Sequence, residues 1–591
     1  MSYKYKMCGI FLLLNVDDIN KLIIDAFQCG KDRGPEKSTI SAYKRCILGF
    51  HRLAINGLDM ENDNQPLNIK DCTLICNGEI YNSERLAGHF TTMETDNDCE
   101  IIIHLYKEYG IEHTLQLLDG VFAFALLDHK KGEMYIARDG FGVRPLYMSN
   151  RGAYWGFASE MKAIIHDELP HNETSVKPVI SIFNPGTHMK FSIIENNWRI
   201  DSATKFTSKN ICTDYTLDYG AALQRIRSTL TEAVSKRVFL SDRPIACLLS
   251  GGLDSSLIAS LVHSCYKPLE TFSIGLKGST DLKFAKIVAE YLGTKHHEII
   301  VTDEEFLDAI PETIRVIESY DTTTVRASVG NYLVSKYIKE HSNAKVIFNG
   351  DGADEVCGGY MYFNYADDPL SFDQECHRLL DDIHIYDVLR SDRCISSCGL
   401  EPRTPFLDKA FVQTYLSIPA DIRDHGHKNK QGKYLMRDAF KNMLPPEVLY
   451  RTKEAFSDGV SPLDRSWYKI IQQYIKRDKT IQEMISQMGH YPHNPPKTDE
   501  QKYYRLVFEH HYGGHSNIIP YFWMPKWVDA PDCSARELSV YKHKSCEICK
   551  GCGLTKHKKK QCCEKGCYKC ENTKRLGMYK ECAFCKGSGG G

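Results

Sequence analysis

"PIACLLSGGLDSSLIASLVHSC" (244–265) decides how the middle of the chain folds. "PIACLL" (244–249) is apolar without alternation, the pattern of a strand covered on both faces. "SSLIASLVHSC" (255–265) has apolar residues at helical spacing. Between them "SGGLDSS" (250–256) is a turn of small residues. Such a turn lets backbone N–H groups approach an anion, and the N-terminus of the following helix adds partial positive charge. Ser250, Ser255 and Ser256 add hydroxyl donors, and Gly251 and Gly252 keep the backbone accessible. Asp254 is out of place in an anion cradle unless a divalent cation accompanies the phosphate. Mg²⁺ held by a carboxylate and substrate phosphates reconciles the two. A plain strand–helix turn is the simpler reading of a Gly-Gly pair alone; the three serines and the aspartate count against it.

The same alternation continues downstream. "TFSIGL" (271–276) is a strand, "DLKFAKIVAEYLG" (281–293) a helix closed by Gly293, and "HEIIV" (297–301) a strand. A further helix leads to the strand "AKVIFNG" (344–350). Strands alternating with helices predict a parallel sheet with right-handed crossovers, and ligands on such a sheet sit at the carboxyl ends of its strands. "NGDGADEVCGGY" (349–360) lies at one such end, although by composition it is equally a glycine-rich surface loop. Residues 400–525 read as helices and loops, with proline breaks at 445–446 and 492–496.

Upstream the pattern differs. "CTLICNGEIYN" (72–82), "VFAFALLD" (121–128) and "EMYIARD" (133–139) are strands, and "CEIIIHLYKEYG" (99–110) is a helix that Gly110 is expected to stop. Together these predict an α+β domain of stacked antiparallel sheets and helices, followed by an α/β parallel-sheet domain.

A formal net charge of −2 over 591 residues argues against a whole-chain nucleic-acid or membrane binder. No apolar run approaches the roughly 18 residues of a membrane helix. Lys4 and Lys6 precede an apolar stretch from Met7 to Val16, but Asp17 and Asp18 follow in place of a cleavage site, so the chain is expected to be cytoplasmic. Thirteen of the 23 cysteines are scattered over residues 1–532; ten fall within 533–591. In a reducing compartment such crowding points to metal rather than disulfides.

The string "SGGLDSS" resembles the pyrophosphate loop of the ATP pyrophosphatases, and "NGDGADEVCGGY" resembles a segment of the asparagine synthetases. "IESYDTTTVRAS" (317–328), "GLEPRTPFLDK" (399–409) and "RTKEAFSDGV" (451–460) extend the resemblance. It implies that Leu248, Ile274, Asn349 and Gly350 approach the adenosine, that Asp254 and Asp354 share Mg²⁺, and that Lys453 neutralises departing pyrophosphate. Arg403 and Glu318 are candidates for shaping the substrate pocket. Where the family carries Glu, this chain has Asp351, at a position tied to acyl-adenylate formation and one methylene shorter in reach.

The N-terminal half resembles the glutaminase of the glutamine-hydrolysing members, whose mature chain begins Cys-Gly-Ile, here Cys8-Gly9-Ile10. The resemblance runs through "RGPE" (33–36), "FHRLAI" (50–55), "CNGEIYN" (76–82), "NDCE" (97–100), "LDGVFAFALLD" (118–128), "ARDGFGVRPLY" (137–147) and "FASEMKAI" (157–164). It implies Cys8 as a nucleophile whose base is its own α-amine, Asn77 and Gly78 as oxyanion donors, and Arg52 on the glutamine carboxylate. It also implies that Glu79 and Asp98 hold the ammonium and that Leu53, Ala54 and Ile55 complete the glutamine site. An amine on Cys8 is free only if residues 1–7 are absent. A start at Met7 with Met trimmed, proteolysis, or an inactive glutaminase are the alternatives, and the first is favoured.

The resemblance covers about residues 7–525, with an amidotransferase domain expected over 8–205 and a synthetase domain over 215–525. It implies asparagine synthesis from aspartate, ATP and glutamine through β-aspartyl-AMP. A β-lactam synthetase-like enzyme and a non-catalytic binding protein are the other classes; the intact Cys8 constellation opposes the first and the complete second loop set opposes the other. Oligomeric state, a homodimer included, stays open.

"CEICKGCG" (546–553) and "CAFCKGSG" (582–589) share the form C-x-x-C-x-G-x-G, which suits tetrahedral Zn²⁺. The pattern resembles the cysteine-rich domain of DnaJ-type chaperones. It suggests one ion on Cys546, Cys549, Cys582 and Cys585. A second would use Cys563, Cys567 and Cys570 with Cys552, Cys562 or His557. A redox-active tail without metal is the alternative. Residues 541–591 hold 13 Lys or Arg against 4 Glu, which suits an acidic partner, nucleic acid or plain solvation.

Overall fold

The computed structural model describes residues 8–59, 61–166, 169, 179–207, 211–528 and 530–536, together with the backbone of 554–555 and 580–581. Two six-stranded antiparallel sheets form the first half. One contains β1 (Gly9–Leu14), β2 (Lys37–Tyr43), β3 (Cys46–Arg52), β8 (Tyr147–Arg151), β9 (Tyr154–Ala158) and β10 (Val179–Ile182), in the order β10-β8-β9-β1-β3-β2. The other contains β4 (Leu67–Ile69), β5 (Cys72–Ile80), β6 (Gly120–Asp128), β7 (Glu133–Arg138), β11 (Thr187–Ile194) and β12 (Asn197–Lys205), in the order β12-β11-β7-β6-β5-β4.

The sheets stack through Ile10, Leu12, Leu48, Phe50, Ile75, Ala125, Leu127 and Ile136. Phe11 and Leu13 point the other way, into the core continuous with the second half. Covered on both faces, β1 has no polar alternation, and each fully buried apolar side chain stabilises it by about 1.5–3 kcal/mol. The helix Glu100–Leu117 covers the outer face of the second sheet through Ile101, Ile102 and Leu105. Gly110 stops its first segment, as the sequence predicts. At φ 76° and ψ 171° this glycine kinks the chain, and helical geometry resumes through Leu117 because Ile111 and Leu115 still have apolar surface to bury.

The second half is built on a five-stranded parallel sheet, β15 (Lys295–Val301), β14 (Glu270–Leu276), β13 (Ile245–Leu248), β16 (Val346–Phe348) and β17 (Glu401–Arg403), in that order. From β13 the chain proceeds outward to β14 and β15, then returns to β13's other side for β16. The helices Leu253–Cys265, Thr280–Leu292, Asp303–Ile317 and Thr322–His341 make the crossovers, and Gly293 caps the second in the left-handed region as expected. The edge strand β17 lies in a stretch whose sequence predicts helix and loop. Its three residues include a proline, which an edge position tolerates.

The second half extends beyond the expected limit at 525. Residues 530–536 pack onto it, and Cys533, read with the tail, stands 3.4 Å from Arg326. In the tail itself, 554–555 pair antiparallel with 580–581. The cysteines from Cys546 to Cys585 lie outside the described residues. Among the described residues, no group of three or more His, Cys, Asp or Glu is placed to hold a metal, and no helix is long and apolar enough to cross a membrane.

Candidate active sites

Cys8 immediately precedes β1. Its thiol donates to the Leu53 carbonyl at 3.3 Å, and the Leu53 N–H donates to its sulfur at 3.4 Å. Arg33 Nε donates to the Cys8 carbonyl at 3.0 Å. Burial pushes the thiol up to about 12, against the Leu53 hydrogen bond and the nearby Arg52. Arg52 closes β3 and donates from both terminal nitrogens to carbonyls of the next loop, Asp59 at 2.7 Å and Gly57. Within that loop Ala54 N–H donates to Glu36 at 2.6 Å, and the Ile55 carbonyl accepts from Asp242 N–H at 3.1 Å.

Asn77, Gly78 and Glu79 are consecutive on β5. Asn77 Nδ2 lies 3.5 Å from Ser159 Oγ, which accepts from the Ile10 N–H at 3.0 Å, so this strand is tied to the nucleophile's own. Asp98 accepts from the Ile80 N–H at 2.6 Å. Burial lifts Asp98 to about 6. Glu79 is raised well above the ordinary range by burial, with Glu401 adding to the rise.

Glu401 and Arg403 come from β17. Arg403 donates to Glu79 at 3.0 Å and to Glu401 at 2.8 Å, while Arg144 reaches Glu401 at 3.2 Å. Arg403 is thus a buried bridge between the halves and does not line the larger cavity. Glu318 is also at the junction: it accepts from the Met161 and Lys162 N–H groups at 3.0 and 2.9 Å and pairs with Arg393.

A cavity of about 230 Å³ opens at the carboxyl ends of β13, β14 and β16. It lies where the strand order reverses, the usual place for a ligand on such a sheet. Leu248, Ser250, Gly252, Asp254, Ser255, Ile274, Asn349, Gly350, Asp351, Asp354 and Lys453 all line it. Gly251 and Ser256 stand behind this lining. Gly251 has φ +68°, and a Cβ there would meet the Ala285 nitrogen at 2.3 Å; Ser256 is wholly buried in the helix. A Cβ at Gly350 would stand 2.8 Å from the Ser255 nitrogen, so the two loops touch only because this residue is glycine.

Asp254 and Asp354, one from each loop, are joined by two lysines. Lys433 Nζ lies 2.6 Å from Asp254 and 2.5 Å from Asp354. Lys453 Nζ lies 2.5 Å from Asp354 and 3.6 Å from Asp254. Burial pushes Asp354 upward, but Lys433 and then Lys453 outweigh it and bring it to about 2. Asp351 receives Arg390 at 2.9 Å, yet burial holds its carboxyl above the ordinary value, with Asp387 acting in the same direction.

Known proteins give the arrangement its family. Residues 7–206 match the glutamine amidotransferase domain model, and 225–371 and 365–517 match the asparagine synthase model. The glutamine-hydrolysing asparagine synthetase of Gallus gallus is 42% identical over 568 residues, covering 91% of this chain and 99% of that protein. The chain belongs to the glutamine-hydrolysing asparagine synthetases. The enzyme of that name from Homo sapiens is 40% identical over 569 residues, with the same 91% and 99% coverage. As an asparagine synthetase it is an ATP-dependent ligase with a glutamine amidotransferase half.

Three side chains of this synthetase's sites escaped the sequence reading: Lys433, Arg390 and Glu401. Lys433 stands in "NKQGKYL", which resembles any solvated basic loop. Its left-handed backbone, φ 58°, is a feature that single-sequence pattern does not show.

Proposed function

We propose that this asparagine synthetase works through two separate centres, Cys8 for glutamine and the β13–β16 cavity for ATP and aspartate. The Cys8 thiolate attacks the amide carbon of glutamine, ammonia leaves, and water hydrolyses the glutamyl thioester. Asn77 and Gly78 donate to the developing oxyanion. Arg52 faces the α-carboxylate and Glu79 and Asp98 the α-ammonium, with Leu53, Ala54 and Ile55 as the wall. The base is the α-amine of Cys8, which titrates near 8 when free and requires residues 1–7 to be absent.

In the cavity, the loop 250–256 and Lys453 receive the phosphates, and Leu248, Ile274, Asn349 and Gly350 the adenosine. Asp254 and Asp354 are hard oxygen donors beside a phosphate-binding turn, a donor set that fits Mg²⁺. Bound there with ATP, the ion would neutralise phosphate charge. Aspartate's β-carboxylate displaces pyrophosphate to give β-aspartyl-AMP. Ammonia then attacks the acyl carbon and yields asparagine and AMP. Asp351, oriented by Arg390, serves the formation of the acyl-adenylate.

The observation that supports this reading is the meeting of Asp254 and Asp354 from two sequence-distant loops on one lysine pair. The test is a double dissociation. Asp354→Asn should reduce AMP formation by about 10²-fold or more while glutamine hydrolysis persists, because a carboxylate that would hold Mg²⁺ against the phosphates is lost at one centre only. Cys8→Ala should abolish glutamine use and leave ammonia-dependent synthesis intact. Parallel loss of both activities in either folded variant would refute the two-centre assignment.

Fourteen described cysteines are free, which suits a reducing compartment such as the cytoplasm. For the tail we keep the zinc proposal on Cys546, Cys549, Cys582 and Cys585, with Cys563, Cys567 and Cys570 in a second site. It rests on the paired C-x-x-C spacing. Elemental analysis should find about one or two zinc ions per full-length chain, and a metal-free tail with titratable thiols would reject it.

A further inference from the structure

We propose that residues 530–536 form a strap that positions the Lys453 segment over the ATP phosphates, with Arg536 as the positioning residue. The proposal rests on the phosphate role given above to Lys453 and to the 250–256 loop.

Residues 451–455 belong to no helix or strand. With no backbone ladder to hold it, the segment takes its path from side-chain bonds. Arg451 donates to the Ser250 carbonyl at 3.1 Å and pairs with Asp281 at 2.7 Å, so it ties the segment to the phosphate turn. Glu454 receives Arg451 at 2.9 Å and the Thr280 hydroxyl at 2.7 Å on one oxygen. Its other oxygen receives Arg536, at 3.1 and 3.3 Å. Lys453 lies between these two anchors, its ammonium 2.5 Å from Asp354.

The same Arg536 guanidinium spans the far end of the loop. It donates to the Pro462 carbonyl at 2.8 Å, the Ser461 carbonyl at 3.0 Å, the Ser461 hydroxyl at 3.1 Å and the Ser466 hydroxyl at 3.2 Å. The rest of the strap is fastened on both sides. Asp532 pairs with Arg326 at 2.7 Å, and Arg326 is itself held by Glu500 at 2.6 Å. The Ser534 hydroxyl and Ala535 N–H donate to the two oxygens of Asp458 at 2.7 and 3.1 Å. A planar five-donor fork explains why one residue can fix both ends of a 13-residue stretch from 454 to 466. Lysine has the charge but not the fork.

The test uses the full chain with Arg536→Ala and Arg536→Lys. Ammonia-dependent AMP formation is followed against MgATP and against aspartate, and glutamine hydrolysis is measured in the same samples. A displacement of about an ångström at a reacting group costs about 10²-fold, so Arg536→Ala should lower kcat/KM for MgATP by about 10- to 100-fold. KM for aspartate should stay near the parent value, glutamine hydrolysis should be unchanged, and Arg536→Lys should recover part of the loss. A kcat/KM for MgATP within about twofold of the parent, the range of an inconsequential surface substitution, overturns the proposal. So does a parallel fall in glutamine hydrolysis, which would make Arg536 a general stability residue. Lys453→Ala separates the two layers. If it leaves AMP formation intact, the phosphate assignment itself fails. If it cripples AMP formation while Arg536→Ala does not, only the strap fails.

Discussion

Asp98 and Asp354 are largely enclosed carboxylates, one at each centre, and their acidities move in opposite directions. Burial lifts Asp98 to about 6 although the Ile80 N–H opposes the rise, and Glu401 adds to it. Burial also pushes Asp354 upward, but Lys433 and Lys453 reverse the sign and bring it to about 2. The residue type is the same and the desolvation acts in the same direction, so the neighbours decide. The proposed glutamine side gathers three carboxylates, Asp98, Glu79 and Glu401, around two buried cations, Arg403 and Arg144. That environment gains from an incoming ammonium group. The ATP side already carries paired lysines against its aspartates and has cations to offer to an incoming polyphosphate. Each centre is charged for the opposite half of its substrate chemistry.

The thiol sharpens the contrast most. Cys8 is pushed up to about 12 by burial, with Glu401 and Glu79 adding to the rise and the Leu53 backbone and Arg52 opposing it. On the proposed mechanism its own amine is the base, whereas the proposed ATP centre needs nothing from the N-terminus. An uncut Met1–Lys6 prefix converts that amine to a non-basic amide. Loss of a positioned base costs about 10²–10⁴-fold, so protein shown by mass to retain the prefix should make asparagine from ammonia but hardly from glutamine. Protein beginning at Cys8 should use both. Equal glutamine use by the two would break the terminal-amine mechanism and with it this half of the comparison.

The two centres were unequally legible before the structure. The proposed ATP loops are contiguous strings at strand ends: "SGGLDSS" shows its chemistry in a single segment, whereas "NGDGADEVCGGY" is by composition equally a surface loop and takes its role from the resemblance. What completes that centre is long-range: Lys433 lies 179 residues from Asp254 along the chain and still makes the shorter contact, while Arg451 reaches Ser250 across 201. A periodicity argument has no access to such pairs. The glutamine centre depends still more on distant chain, because Arg403 contacts Glu79 across 324 residues from an edge strand too short to register as one. Gly110 breaks the helix as its local chemistry predicts; what the sequence does not show is the second helical segment behind it, which buries Ile111 and Leu115. Arg536 shows the same limit at the C-terminal side, where a Lys- and Cys-rich continuation made the preceding residues look like the start of a tail.

The remaining difference between Asp98 and Asp354 can be read directly by titration. Between pH 5 and 8 glutamine keeps both its α-carboxylate and its α-ammonium, so any pH dependence of its binding belongs to the protein. In Cys8→Ala, which binds without turnover, a bound ammonium favours ionised Asp98 and pulls its acidity back toward the ordinary carboxylate range. Affinity therefore rises with pH until Asp98 is ionised in the free protein, near 6, and falls by about tenfold per unit below that as the carboxyl must lose a proton on binding. Glu79, lifted by burial and by Glu401, favours the bound ammonium in the same direction. Adding Asp98→Asn should weaken binding at pH 8 and flatten the acid slope. Asp354, already at about 2, contributes no step to MgATP binding over the same range. Should the Asp98→Asn variant keep the parent's slope, the ammonium is held elsewhere, and the shortage of cations around Asp98 has some use other than glutamine.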